Sequence, residues 1–322
     1  MREFVYTAPA TTEQALGGAG EDTAFLAGGT TLVDLMKLGV MSPARVLDIN
    51  ALPLRGIRAD DGGLRIGALE KMADVAGHPR VTADYPALAQ ALRGASQQIR
   101  NMASMGGNLL QRTRCDYFRD TGSRCNKRQP GSGCPAVTGV NRTHAVLGTS
   151  DACVATHPSD AAVALVALDA SVRLLGRDGE RTVRLADFYR LPGATPHLEN
   201  VLEPGELLAE ITVPALPWAA RSAYLKISDR QSYAFALASA AVALELNGNT
   251  VARARVAVGG VGTRPWRLPA VEAELTGRPA TEESYARAAA LAVEGARPLS
   301  GNRFKTTLVQ RALVRALLTV GG

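Results

Sequence analysis

Apolar and polar positions run in short blocks along this chain, and their period changes several times. Near the start, Phe4-Val5-Tyr6 reads as a strand and Thr11-Thr12-Glu13-Gln14-Ala15-Leu16 as a capped helix start. Ala24-Phe25-Leu26-Ala27 and Val46-Leu47-Asp48-Ile49 follow as short strands. That βαβ order predicts a small sheet packed by helices. Leu64 to Ala68 alternates as a strand, and Met72 to Val75 and Pro86 to Gly94 read as helices. Ala161 to Leu168 is an apolar run of the kind that forms a buried helix. Val172 to Leu175 and Arg181 to Leu185 flank Asp178-Gly179, a hairpin signal. Leu207 to Val213 reads as a further strand. Phe235 to Leu246 is a long apolar segment, either a strand or a buried helix. Ala252 to Gly259 alternates as a strand, and 281–294 and 304–318 carry the period of amphipathic helices. No internal repeat or low-complexity tract interrupts the pattern.

Composition narrows the class. A chain of 322 residues has room for two or three lobes and a substantial core. With 46% apolar and 20% charged residues it predicts a folded globular protein, not a disordered one. The formal charge of +6 is scattered except around one loop, and only 5% of residues are aromatic. A nucleic-acid surface would need a basic face with stacking aromatics, so nucleic acid is not an expected partner. No run of eighteen apolar residues is present, which predicts no membrane span. The opening MREFVYTAPATTEQALG has no apolar h-region, which predicts no signal peptide on this chain.

Candidate chemistry concentrates in two places. The first is a pair of glycine turns. Ala27-Gly28-Gly29-Thr30-Thr31 precedes the helical pattern of Leu32, Leu35 and Met36, and Ser104-Met105-Gly106-Gly107-Asn108 forms a second turn. Glycine permits tight turns and close approach of backbone amides to an anion. Neither is the G-x-G-x-x-G of a Rossmann fold. Two such loops are best explained by a dinucleotide lying across two small lobes. The second place is the loop holding Cys115, Cys125, Cys134 and Cys153, the chain's four cysteines, spaced C-x9-C-x8-C-x18-C. Four thiolates suit tetrahedral zinc or an iron–sulfur cluster. Zinc ribbons usually carry CxxC knuckles, and none is present. The Gly/Pro-rich NKRQPGSGCP stretch could wrap a larger object such as a [4Fe–4S] cube. Arg112, Arg114, Arg119, Arg124, Lys127 and Arg128 would offset its negative charge. Spacing alone leaves the cluster, two disulfides or four buried thiols, and zinc all open.

Several stretches, in this order, carry a resemblance: FLAGGTTLVDLMKLG, IRNMASMGGNL, THPSD, LLAEITVP and YLKISDR. Over essentially its whole length the chain resembles the FAD-binding (medium) subunits of the xanthine dehydrogenase and aldehyde oxidase family of molybdenum hydroxylases. The cysteine loop makes it most similar to the [4Fe–4S]-containing flavin subunits of bacterial periplasmic aldehyde oxidoreductases. The resemblance implies an α+β, two-lobed FAD-binding fold of the vanillyl-alcohol-oxidase type, followed by a C-terminal α+β lobe. It divides the chain into lobe 1 at 1–55, lobe 2 at 56–220 with the [4Fe–4S] loop at 110–155, and a C-terminal domain at 221–322.

By resemblance, Leu26, Ala27, Gly28, Gly29, Thr30, Thr31 and Leu32 lie against the pyrophosphate of FAD. Ser104, Gly106, Gly107 and Asn108 form the second wall. Asp160 lies near the adenosine half, Leu208 packs against the isoalloxazine ring, and Lys226 lies near the flavin. The residues alone read Asp160 as a helix N-cap and Lys226 as a solvated charge. Cys115, Cys125, Cys134 and Cys153 are the implied cluster ligands. The implied partners are a large molybdopterin subunit and a small subunit with two [2Fe–2S] clusters. Electrons pass from that small subunit through this chain to an external acceptor, while the complex oxidises an aldehyde to its acid. The implied compartment is the periplasm, by co-export with a twin-arginine-bearing partner, with the cytoplasm as alternative. Two other classes fit the residues: a free-standing flavin oxidase, and a zinc-stabilised scaffold subunit.

One departure stands out. Many relatives carry an acidic residue shortly after the arginine matching Arg230, where this chain has Gln231, Ser232 and Tyr233. Tyr233 reads as a contact near the ring or as a core tyrosine. The four histidines do not converge in sequence, and His157 reads as a structural histidine. No catalytic triad or carboxylate pair stands out, which suits a chain whose chemistry belongs to its cofactors.

Overall fold

The computed structural model describes residues 1–321. β1 (Val5–Thr7), β2 (Thr23–Leu26) and β3 (Arg45–Asp48) form a first sheet in the order β1-β3-β2. Both pairings are parallel, so each connection crosses over, and the helices Thr12–Gly18 and Leu32–Lys37 supply the crossovers. Thr11 caps the first of them, its hydroxyl accepting from the Gln14 amide at 3.2 Å. The carboxyl end of β2 runs into Gly28-Gly29. Ligands of open α/β sheets bind at such strand ends.

β4 (Ile57–Asp60), β5 (Gly63–Gly67), β6 (Ser171–Gly176), β7 (Gly179–Arg184) and β8 (Leu207–Pro214) make a second, antiparallel sheet in the order β4-β5-β8-β6-β7. The Asp178-Gly179 hairpin is present as expected, joining β6 to β7. Leu64, Ile66, Val172, Leu174, Leu208 and Ile211 share a core with the helices Met72–Gly77, Pro86–Arg93 and Asp160–Ala167. Ala161 through Ala167 are all buried, which is why that helix shows no polar stripe.

β9 (Ser222–Ile227), β10 (Ala238–Asn247), β11 (Thr250–Gly259) and β12 (Trp266–Arg267) form a third, antiparallel sheet, ordered β12-β11-β10-β9. The ambiguous apolar segment is thus strand, not helix. It lacks a period of two because both faces are covered. Ala241 and Ala257 face the core of the second sheet, while Ala240, Val242 and Leu244 face a separate core with the C-terminal helix Phe304–Gly321. The helix expected over 281–294 stops sooner, at Glu282–Ala290, and finishes as a 3-10 turn, Leu291–Val293. Among the described residues no helix is long and apolar enough to cross a membrane.

Candidate functional site

The Gly28 loop and the segment entering Ser104 touch backbone to backbone. A Cβ on Gly28 would lie 2.1 Å from the Met102 carbonyl oxygen, so no side chain fits there. Gly29 sits at φ +71°, a conformation that costs glycine nothing and other residues strain. A cleft opens on both sides of this contact. One half, about 310 Å³, is lined by Gly28, Leu32, Ser104, Gly106 and Leu208. The other, about 390 Å³, is lined by Asp34, Gly94, Asn108, Asp160, Lys226 and Tyr233. Thr30, Thr31 and Gly107 border both halves, which together make one elongated cleft large enough for a dinucleotide. Of the residues expected against it, all but Leu26 border the cleft; Leu26 closes β2 just before the turn.

The second glycine pair works differently from the expected anion-binding turn. Met105–Leu109 is a short helix, capped by the Ser104 hydroxyl on the Gly107 amide at 3.2 Å. The Gly106 amide donates to Ala68 O and the Asn108 amide to Ser104 O, each at 2.8 Å. Those amides are spent and cannot also hold an anion. Glycine is needed at 106 for packing, since a Cβ there would approach the Ala68 Cβ to 2.9 Å. What faces the cleft is the Ser104 side chain and the bare glycine surface.

Asp160 and Lys226 read singly as a helix cap and a solvated charge, and both readings are corrected. The N-cap is Ser159, whose hydroxyl accepts from the Ala162 amide at 3.0 Å. The same hydroxyl donates to Asn108 Oδ1 at 2.6 Å, tying this helix to the Ser104 segment. Asp160, released from capping, pairs with Lys226 Nζ at 2.8 Å, each side chain only 14% exposed. The Tyr224 hydroxyl donates to the other Asp160 oxygen at 2.6 Å. Burial, reinforced by the Asp160 charge, pushes the Tyr224 pKa well up, so it stays a donor. The ion pair brings Asp160 and Lys226 together at one end of the cleft, while Leu208 lines the other end. Tyr233 is not a core tyrosine: it is 70% exposed, at φ 55°, on the rim of the same half.

The cysteine loop packs directly beside this half. Phe118 and Cys125 form a small core with Leu35 of helix Leu32–Lys37. Arg114 and Arg119 both reach Asp34 of that helix, at 2.8 and 2.7 Å. The Arg119 hydrogen bond is the largest influence holding the Asp34 carboxyl below its usual range. All four cysteines are free, and all four border one small void of about 10 Å³. The disulfide alternative is thereby set aside. Burial pushes the thiol of Cys115 up to about 12 and that of Cys153 up to about 11, so without a metal both are protonated. Among the described residues no three His, Cys, Asp or Glu side chains converge as ligands of a single ion. By donor type the four thiols suit either tetrahedral zinc or an iron–sulfur cluster.

Neighbouring polar groups brace the loop. Glu199 pairs with Arg112 at 2.8 Å and Lys127 at 3.4 Å. Burial works to raise the Glu199 pKa, but Lys127 and Arg112 outweigh it and hold it low. His144 Nε2 lies 3.2 Å from Cys115 Sγ, a contact the sequence did not single out. His157, by contrast, lies edge-on to Tyr189 with ring centres 4.5 Å apart, and burial lowers it to about 3. Asp34, Tyr224, Ser159, Glu199 and His144 all escaped sequence reasoning. Of these only Ser159 had a local signal, its place before an apolar helical run.

A glycine-bounded cleft of dinucleotide size marks the chain as a cofactor-binding subunit. The comparisons agree. Residues 2–216 match the family described as the FAD binding domain in molybdopterin dehydrogenase, and residues 223–320 match the CO dehydrogenase flavoprotein C-terminal domain. The chain is 47% identical to the aldehyde oxidoreductase FAD-binding subunit of Escherichia coli, covering 98% of each. It is 30% identical to the carbon monoxide dehydrogenase medium chain of Hydrogenophaga pseudoflava, covering 98% of this chain and 96% of that one. A solved structure of the Hydrogenophaga pseudoflava carbon monoxide dehydrogenase, lacking the Mo-pyranopterin moiety, superposes with a TM-score of 0.76 at 29% identity. That match covers 99% of this chain and 97% of the other. The chain belongs to the FAD-binding medium subunits of the molybdenum hydroxylases, and it is an oxidoreductase subunit of that class.

Proposed function

We propose that this chain is the FAD- and [4Fe–4S]-binding electron-transfer subunit of an aldehyde-oxidising molybdenum hydroxylase. It works beside a large molybdopterin subunit and a small subunit with two [2Fe–2S] clusters, and delivers electrons to an external acceptor. The observation that carries this reading is adjacency: four free thiols around one void, on a loop that forms one wall of the flavin cleft. The 47% identity to an aldehyde oxidoreductase subunit supports the aldehyde as substrate class. Bound here, FAD would supply exchange between one-electron and two-electron carriers, and the cluster a further one-electron centre.

The chain's own part is positioning. Gly28 and Gly29 let the two walls close on the dinucleotide, with Ala27, Thr30, Thr31, Leu32, Ser104 and Gly107 along its middle. Asp160, Lys226 and Tyr224 form a polar set that suits the heteroatom edge of the isoalloxazine ring. Leu208, at the apolar end, then faces the adenine instead of the ring. That reverses the halves implied by resemblance. Tyr233 on the rim limits access to the ring end. The void among Cys115, Cys125, Cys134 and Cys153 is far smaller than a cube, so assembly has to spread these side chains. Gly131 and Gly133, both at positive φ with nothing packed against them, allow the loop that movement. The two-lobed vanillyl-alcohol-oxidase type, with lobes at 1–55 and 56–220 and a third domain at 221–322, is proposed with this function.

The test is composition. Co-expressed with its partner subunits, the complex should hold one FAD per chain, plus four iron and four sulfide beyond the small subunit's clusters. FAD without the extra iron would refute the cluster. Zinc without FAD would refute the redox role. We place the complex in the periplasm, exported with a twin-arginine-bearing partner; recovery of the complex only in the cytoplasm would refute that placement.

A further inference from the structure

We propose that the cysteine loop is itself part of the flavin site: Arg114 and Arg119 form its cationic wall and recognise the diphosphate of the dinucleotide. This rests on reading the cleft as the FAD site. It does not require the iron cluster.

Three observations converge. First, both guanidiniums border the same half-cleft as Thr30 and Thr31, the residues that end the Gly28-Gly29 turn. Second, both are fixed by one carboxylate. Arg114 Nη1 donates to Asp34 Oδ2 at 2.8 Å, while Arg119 Nη1 and Nη2 straddle the two Asp34 oxygens at 2.7 and 3.1 Å. Two positive charges against one negative leave a net positive charge in the wall, with side chains only 27% and 23% exposed. The other charged pair in this half, Asp160 with Lys226, is neutral overall. Third, the wall holds one donor without a partner among the described residues. Arg114 Nε is buried and has no partner in the structure. An anion in the cleft would balance the excess positive charge of the two guanidiniums. A diphosphate suits two guanidiniums held at fixed spacing, because planar forks bind phosphate oxygens in pairs.

The arrangement also couples two sites. Arg114 precedes Cys115 directly, and Cys125 and Phe118 share a core with Leu35, one residue after Asp34. Disorder in the cysteine loop therefore removes the cationic wall, and flavin affinity falls with it.

The experiment uses the complex stripped of flavin and titrated with FAD or with riboflavin, which has the ring but no diphosphate. Binding is read from quenching of flavin fluorescence. Arg114→Gln and Arg119→Gln should each weaken FAD about tenfold, the size of one charge-assisted contact. The double variant should lose more, and its FAD affinity should depend less on salt. Riboflavin affinity should stay unchanged, and Arg119→Lys should recover part of the loss. Cys125→Ser, which does not border the cleft, should weaken FAD through the loop. Equal weakening of FAD and riboflavin would assign the arginines a purely structural role and overturn the proposal. So would unchanged FAD affinity in the double variant. A wild-type complex that binds no FAD would instead overturn the reading of the cleft itself.

Discussion

Gly28→Ala should weaken flavin binding by forcing the two walls of the cleft apart. The new Cβ would start 2.1 Å from Met102 O and 2.9 Å from Ala103 Cα, both backbone atoms that cannot rotate away. Ordinary contact begins near 3.4 Å, so the two walls must part by about 1.3 Å along that line. Overpacking of this kind costs about 1–3 kcal/mol, and an obstacle made of backbone belongs at the top of that range. The displaced segment leads straight into Ser104, Gly106 and Gly107, which border the cleft. A wall moved by more than an ångström loses its contacts to a bound dinucleotide. FAD affinity should therefore fall at least about tenfold, the equivalent of 1.4 kcal/mol, and the melting temperature by several degrees. Gly29→Ala is the control. Its strain comes from φ +71°, about 1 kcal/mol, and its Cβ would meet only the side chains of Val33 and Leu26, at 3.2 and 3.4 Å. It should lower stability while keeping most of the flavin. FAD content per chain and thermal unfolding of both complexes decide the matter. A Gly28→Ala complex with wild-type FAD affinity would refute the argument that this contact sets the width of the site.

Three other outcomes follow from the geometry. Lys226→Met strands the Asp160 carboxylate in a largely buried setting and should cost about 2–3 kcal/mol; adding Asp160→Asn should recover part of it, and a double-mutant cycle in urea with additive effects would dismiss the pair. Ser159→Ala removes both the cap of a buried helix and the bond to Asn108, and should cost about 1–2 kcal/mol and loosen the flavin; an unchanged urea midpoint would contradict this. Lys305 is fully buried, with Nζ donating to Thr143 O at 2.8 Å and Gly260 O at 2.7 Å, and burial lowers its pKa from 10.5 to about 7. The unfolded chain then binds the extra proton between pH 7 and 10.5, so the wild type should gain stability over Lys305→Met as pH rises through that window, and lose it as pH falls to 7. The slope is at most about 1.4 kcal/mol per pH unit, and a flat difference in urea unfolding across the window would show that Lys305 keeps its proton.

How far the sequence could be read depended on the range of the interaction. The helix cap at Thr11, the Asp178-Gly179 hairpin and the Gly28-Gly29 turn were legible because each is decided within a few residues. The strand over Ala238–Asn247 was not, because its lack of period comes from two cores on its two faces, which only the fold supplies. Gly106-Gly107 was misread for a related reason. A glycine pair serves an anion-binding turn or a helix packed close to a strand equally well, and the difference lies in Ala68, nearly forty residues earlier.

The same logic explains which parts of the site stayed hidden. Asp160 and Lys226 are 66 residues apart, and Asp34 stands 80 and 85 residues from its two arginines. Such pairs leave no periodic trace, so each residue alone reads as a cap, a solvated charge or a loop cation. Only the family resemblance singled out Asp160 and Lys226, and it did not pair them, where the fold joins them at 2.8 Å. It said nothing of Arg114 or Arg119, which ride on the cysteine loop. A residue carried on such a loop has neither a local pattern nor a quoted motif to announce it. It shows itself only by standing in the wall of the cleft with charge to spare.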